Sequence, residues 1–423
     1  MSLTIVIVTY EADVTTEAGK KPKSYEDISI VDKNLTFQPI ASGFEFPTGM
    51  AFLGIDDILV IEKNTGNVIR IQNGTELDKP VLHVNVANVS ERGLLGIAVP
   101  PNNYGNASNP RYVFLFYTET DKEDREKILG NRLYRYDLMD DKLVNPKLLL
   151  DLPYLPGPSH DGGVLRVDPD NKSIYLIIGN LNFAQNRSYM TKAQNVKDGP
   201  PPDGRGGILR ITFDGDIVGG KGILGDQHPL DKYFAYGLRN SFGIGFDAST
   251  GNLWDTENGQ SKHDEINLVK PGFNSGWEVI QGLSSLDKYF KTDDLEDFNG
   301  RGEYRDPEFD WLDTIAPTSV LFFNSSKLGN EYENDLFIGS VKNGTIYHFD
   351  LSADRTSLDL HGPLTDKIAN DSSELQEIIF ANKLGIITDL QIGPDGNMYV
   401  LADYKRDGTI FRIIPKANDV VEG

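Results

Sequence analysis

At 423 residues the chain can bury a large core, and length alone would divide it into roughly two or three domains, although all-β domains often run longer. It has no cysteine, which excludes disulfides, thiolate-bound metals, cysteine nucleophiles and iron–sulfur clusters; nor does it have a window of about 18 apolar residues to cross a membrane. The formal net charge of −22 argues against a nucleic-acid partner, since phosphates call for a basic surface, and fits a soluble, self-repelling exterior.

Residues 1–35 are polar, carry lysines between Lys20 and Lys23, and show no period. They are expected to form a loosely attached leader before a single domain over 36–418. The opening run MSLTIVIVTYE is too short, and lacks the basic segment, for an intact signal peptide. From Phe46 a regular pattern sets in: an apolar strand, a turn of Gly, Asp or Asn, a second strand, and usually a third ending in a run like I-x-R-I. It recurs at Phe46–Ile71, Arg92–Leu138, His160–Gly215, Tyr236–Gly276, Ala316–Leu351 and Ile387–Ile413. The turns VDPDNKS, FDASTGN and IGPDGN fall at the same place in the third, fourth and sixth units, where Asp-Gly and Gly-Asn supply left-handed backbone angles. One such sheet cannot bury both its faces alone, so the repeats predict an all-β six-bladed propeller of four-stranded antiparallel blades. Two stacked β-sandwiches are the alternative. The acidic, aromatic excursion Glu278–Trp311 is expected to lie as a long loop over one face.

In a propeller, residues just before the first strand of each blade converge at one mouth. Here they are Pro47-Thr48, Arg92, His160-Asp161, Arg239-Asn240, Pro317-Thr318 and Thr388-Asp389. Loops after the second strands bring Glu62, Glu119, Asn180, Glu257 through Gln260, Lys342 and Asp403. Cations, carboxamides and carboxylates around one imidazole suit a small hydroxylated or anionic ligand. His160, in S-H-D-G-G, is the candidate general base, its two glycines permitting close approach; a histidine bonded to a backbone carbonyl is the structural alternative. Arg239-Asn240 could clamp a carboxylate or bridge blades. Lys342, on a turn, could touch ligand or only solvent.

The loop W-D-T-E-N-G-Q-S-K-H-D-E-I-N is dense in hard oxygen donors: Asp255, Glu257, Asn258, Asp264, Glu265, Asn267 and the carbonyls of Gly259 and Gln260. Calcium takes six to eight such ligands, though the spacing is not that of an EF-hand. His263 is expected to be exposed rather than a ligand. No G-x-S-x-G, Walker, Rossmann or H-E-x-x-H motif occurs. Asn34, Asn73, Asn88, Asn106, Asn171, Asn186, Asn324, Asn343 and Asn370 each head N-x-S/T, an excess pointing to a glycosylated, secreted or periplasmic protein, or to Asn-rich turns.

The runs R-G-L-L-G-I-A-V, H-D-G-G-V-L, Y-G-L-R-N, D-E-I-N-L-V-K-P-G-x-N-x-G-W, A-P-T-S-V and D-L-Q-I-G-P-D-G-N-M-Y-V-L resemble, in order, the quinoprotein glucose/sorbosone dehydrogenase family. The resemblance implies a six-bladed propeller with pyrroloquinoline quinone (PQQ) and Ca2+ at the channel mouth. His160 would be the base, Arg239, Asn240 and Lys342 the quinone contacts, and Gly259, Gln260 and Asp264 the calcium site, although Gly-Pro is usual where Gly259-Gln260 stands. The chain also departs from the pattern at Ile386–Thr388, where arginines that grip quinone carboxylates are usual, at Phe242 (glutamine) and at Ser275 (tyrosine). The expected activity is oxidation of an aldose or polyol, with electrons leaving to an external acceptor. A quinone-free, calcium-stabilised extracellular binding module and, on fold analogy alone, a calcium-dependent lactonase are the alternatives.

Overall fold

The computed structural model describes residues 25–101 and 111–416; residues 1–24 of the expected leader, and Asn106, lie outside them. Regular structure among the described residues is β-strand and short 3-10 turns.

The strands form six sheets of four to six strands, not uniformly four, and not wholly antiparallel: Ala235↔Phe273, Phe273↔Glu303 and Asp310↔Ile368 pair in parallel where late segments add to the third and fourth sheets. Each of the six begins with an inner strand: Pro47–Gly54, Leu94–Ala98, Leu165–Val167, Ser241–Phe246, Pro317–Phe323 and Ile386–Ile392. Each inner strand touches the next and the last touches the first, so the sheets stand around a closed ring. Every neighbouring pair of sheets shares an apolar layer, including the sixth and first, which meet through Met50, Ile58, Val60, Leu401 and Ile410. Each sheet is thus buried on both faces, which explains second strands as apolar as Ser173–Ile178, whose six residues are all buried. The architecture is an all-β propeller and not a pair of stacked sandwiches.

The turns expected after the third, fourth and sixth inner strands are where the repeats put them. Asn171, Gly251 and Gly396 take φ of +55°, +73° and +80° there. Inner strands approach so closely that a Cβ on Gly96 would lie 2.0 Å from the Gly163 carbonyl oxygen, which only glycine tolerates.

Three features were not foreseen. Leu35–Phe44 is the outer strand of the sixth sheet, paired with Asp407–Pro415 from Leu35↔Pro415 to Phe44↔Gly408, so the ring is sealed by strands from both ends of the described chain. Within the expected leader, Ser29–Ile30 adds to the edge of the fifth sheet beside Ile379–Asn382, and Tyr25 packs its ring 5.1 Å from Phe411. The excursion Glu278–Trp311 is more than a loop over a face. Glu303–Tyr304 extends the third sheet, and Phe309–Asp313 is a strand of the fourth that seats Trp311 in the core.

Candidate active site

His160 lies just before the third inner strand, whose start is delayed by Gly162 and Gly163 at φ +63° and +107°. It is itself left-handed at φ +68° and only 2 % exposed. Its backbone N–H donates to Glu91 Oε2 at 2.6 Å, and its Nδ1 lies 2.7 Å from Asn180 Oδ1. The Asn182 N–H also donates to Asn180 Oδ1, at 2.9 Å, which fixes that atom as the acceptor. Nδ1 of His160 therefore carries the proton and Nε2 keeps a lone pair. Burial, then the charge of Arg239, pulls the imidazole down to about 4, and the Asn180 bond opposes this only partly. The ring is thus a neutral base at pH 7.

Asp161 next to it is fully buried, accepts from Asn131 Nδ2 at 3.1 Å, and has Oδ2 without a partner. Burial pushes its carboxyl up to about 7 despite Asn131, Arg92 and Lys63. Burial likewise raises Glu91 and lowers Lys63, whose ammonium lies near both acids and donates to Asn64 at 3.1 Å.

Arg239 reaches the site from the turn before the fourth inner strand. Its N–H donates to Glu257 Oε1 at 2.6 Å, and its Nη1 donates to the carbonyls of Asn258 and Gly259 at 2.9 and 3.1 Å. The guanidinium lies 5.4 Å from the Trp277 ring, with Nε buried and unpartnered. Asn240 Oδ1, Asn180 Nδ2 and Trp277 Nε1 are also buried without partners. Ser275, in the place of the usual tyrosine, donates to Glu257 Oε2 at 2.6 Å.

Asp264 is buried and accepts three backbone N–H bonds: Oδ1 takes that of Gly259 at 2.8 Å, and Oδ2 those of Ile315 and Ala316 at 2.6 and 2.8 Å. It shapes the Gly259-Gln260 loop. The unengaged hard oxygens sit just behind. Asp255, Glu257, Glu265, Asn267 and Asp310 share one face of the fourth sheet, directly paired Asp255↔Asn267, Glu257↔Glu265 and Glu265↔Asp310. Both Asp255 oxygens, Asn267 Oδ1 and Asp310 Oδ1 are buried and unpartnered. Burial pushes Glu257 up to about 7 and raises Asp255 and Glu265, as expected of carboxyls crowded together out of water. His263 is half-buried against Asp310 at 2.8 Å rather than exposed.

The structure thus brings together His160, Asp161, Asn180, Arg239, Asn240 and the Glu257–Gly259 loop. Lys342 is exposed and donates to the Thr314 carbonyl at 2.6 Å; it meets the site through Ile315, whose carbonyl accepts its N–H at 3.2 Å. The hydroxyls of Thr48 and Thr318 are held by the Leu94 and Ile387 carbonyls at 2.7 and 2.8 Å, and Asp389 pairs with Arg166 at 3.2 Å, so these three knit blades. Phe242 lines the same narrow channel, and in the stretch Ile386–Thr388, Ile387 is buried in the core while Ile386 and Thr388 are half-buried. Glu91 and Lys63 were not singled out in the sequence, and Trp277 appeared there only as the last residue of the run D-E-I-N-L-V-K-P-G-x-N-x-G-W. Only the position of Glu91 beside Arg92 and of Trp277 after Gly276 hinted at them.

Replacing Asn180 by aspartate would set a carboxylate against Nδ1–H and favour the imidazolium. The acid limb of kcat/KM, expected near pH 4 in the native protein because the base must be neutral, should then rise by about one to three pH units.

The structure is thus a propeller-type ring of β-sheets with a buried imidazole at His160, a buried guanidinium at Arg239 and buried carboxyls at Asp255, Glu257, Asp264 and Glu265. The chain belongs to the Glucose / Sorbosone dehydrogenase family, which it matches over residues 44–412. It is 24% identical to Aldose sugar dehydrogenase YliI of Escherichia coli K12, over 88% of this chain and 91% of that one. It is also 24% identical to Quinoprotein glucose dehydrogenase B of Acinetobacter calcoaceticus, over 92% and 91%. The PQQ-bound Aldose Sugar Dehydrogenase from Streptomyces coelicolor superposes with a TM-score of 0.63 at 20% identity, covering 90% of this chain and 98% of that one.

Proposed function

We propose that the protein is a PQQ- and Ca2+-dependent dehydrogenase of an aldose or related polyol, acting outside the cytoplasm, with the six sheets as six blades of one domain over 36–418. The observation that carries the reading is His160: a buried, neutral imidazole whose Nδ1 proton is fixed by Asn180, leaving Nε2 as the base. When bound, the quinone supplies a hydride acceptor and calcium a Lewis acid that polarises it. Nε2 of His160 takes the substrate hydroxyl proton as the carbon is oxidised. Arg239 and Asn240 bind the quinone, and their unpartnered Nε and Oδ1 support the fit, as do Asn180 Nδ2 and Trp277 Nε1. Gly259 and Gln260 would hold calcium through their carbonyls. A carbonyl has two lone pairs, so the Gly259 bond to Arg239 leaves one for the ion. Asp264 preserves the loop shape, and Lys342 adds positive charge at the rim. The exposed Phe183 ring, 5.8 Å from that of His160, offers an apolar surface to a sugar. Sequon asparagines at Asn34, Asn73, Asn88, Asn186, Asn324, Asn343 and Asn370 are exposed, which is compatible with glycosylation and export.

The test is dye-linked oxidation across a panel of aldoses and polyols after loading with PQQ and calcium. Turnover that requires both is the expected outcome; no activity at saturating cofactor would sink the proposal. The lack of an arginine anywhere in Ile386–Thr388, where the resemblance leads one to expect it, favours a second reading, a quinone-free binding module. On that reading calcium alone would raise the melting temperature and the quinone would leave it unchanged.

A further inference from the structure

Three arginines are buried among the described residues: Arg92, Arg205 and Arg239. Arg205 is bridged to Asp203 at 2.6 Å, and Arg239 belongs to the clamp just described. Arg92 is used by neither. Its Nη2 donates to the Tyr154 carbonyl at 2.6 Å, its guanidinium lies 5.6 Å from the Tyr154 ring, and its Nε is buried without a partner. Asp161 feels its charge without bonding to it. A guanidinium taken out of water with no ion pair at contact distance and Nε unpartnered is unfavourable even with Asp161 in its field, and it is compensated when an anion binds against it.

Arg92 also lines a cleft of about 330 Å3, at the small end of the range for small-molecule sites. Asn64 of the first sheet's turn, His83 and Asn88 of the connecting segment, and Arg125 and Glu126 of the second sheet's loop complete it. Arg125 is exposed and forms no ion pair among the described residues; Glu126, the acid in the lining, is exposed beside it. Between Val89 and Arg92, both in the lining, the chain reaches the His160 segment. Next to Arg92, Glu91 accepts the His160 N–H, and Ser90 Oγ lies 2.8 Å from Ser159 Oγ.

We propose that this cleft is a second binding site, taking the carboxylate or phosphate substituent of an acidic sugar, with Arg92 as its buried contact and Arg125 at its rim. The anion part stands on Arg92 and the cleft; the sugar part rests on the dehydrogenase reading. The test is calorimetric titration of glucuronate, glucose 6-phosphate, inorganic phosphate and glucose into cofactor-free protein, into Arg125→Ala, whose residue is exposed, and into Arg92→Gln. The acidic sugars should bind saturably and glucose should not. Affinity should fall about tenfold or more in each variant and weaken with salt, as for a lost charge-assisted contact. Tighter glucuronate than glucose 6-phosphate assigns a carboxylate, and the reverse a phosphate. Inorganic phosphate binding as tightly as glucose 6-phosphate overturns the sugar part. No saturable binding, or binding unchanged in both variants, overturns the site itself. Because no cofactor is present, binding that persists in a protein inactive in dye-linked oxidation separates failure of the dehydrogenase reading from failure of this one.

Discussion

Replacing His160 by asparagine is expected to lower kcat for sugar oxidation by about 100- to 10,000-fold, the range for removal of a positioned general base, and to leave the fold intact. Asparagine is the informative substitute because residue 160 sits at φ +68°, a conformation in which asparagine is enriched and alanine strained. Its short side chain cannot restore a proton acceptor where Nε2 stands. Circular dichroism and thermal melting close to the native protein, with turnover lost, would place the defect in chemistry. A decrease below about tenfold would show that the carboxyl of Asp161 or Glu91 does the work of the base. Asp161 is buried and Glu91 half-buried close by; burial pushes the Asp161 carboxyl up to about 7 and raises that of Glu91 above its ordinary value.

The second large effect concerns stability. Asp264→Ala removes the acceptor of three backbone N–H groups, those of Gly259, Ile315 and Ala316, in a fully buried position. Each orphaned donor costs about 1–3 kcal/mol where water cannot replace the carboxylate, so a loss of about 3–5 kcal/mol in urea unfolding is expected. Burial raises the Asp264 pKa even though these bonds favour the ionised form, so desolvation dominates; the bonds are what make an acid tolerable there. The same substitution frees the Gly259-Gln260 loop, whose Gly259 carbonyl accepts from Arg239, and should weaken calcium binding. A loss below about 1 kcal/mol would mean that water enters and takes over the three donors.

What the sequence made legible was local and repetitive. Asp-Gly and Gly-Asn turns, together with apolar runs of strand length, place all six inner strands in their units to within about one residue, and Pro47-Thr48, Pro317-Thr318 and Thr388-Asp389, expected just before the first, fifth and sixth, lie inside them. The third begins later, at Leu165 rather than beside His160, because Gly162 and Gly163 hold the chain in left-handed angles that a strand cannot use. The pairing of Leu35 with Pro415 could not be read, since it joins segments at opposite ends of the chain and leaves no local period. Ser29–Ile30 was hidden for the same reason. At the site, His160, Arg239 and Asn240 stood out by residue type and position. Asp264 was legible as a candidate calcium acid; its bonds to the N–H groups of Ile315 and Ala316 were not, because those partners lie 51 and 52 residues further along the chain. The uncommitted oxygens of Asp255, Asn267 and Asp310 become visible only through cross-strand register.

Calorimetric titration of PQQ into the protein, with and without calcium, and into Arg239→Met, tests the central claim most directly. The expected result is saturable one-site binding that requires calcium and weakens about tenfold or more when the guanidinium is removed. Absence of binding with calcium present, or equal affinity in Arg239→Met, would contradict it.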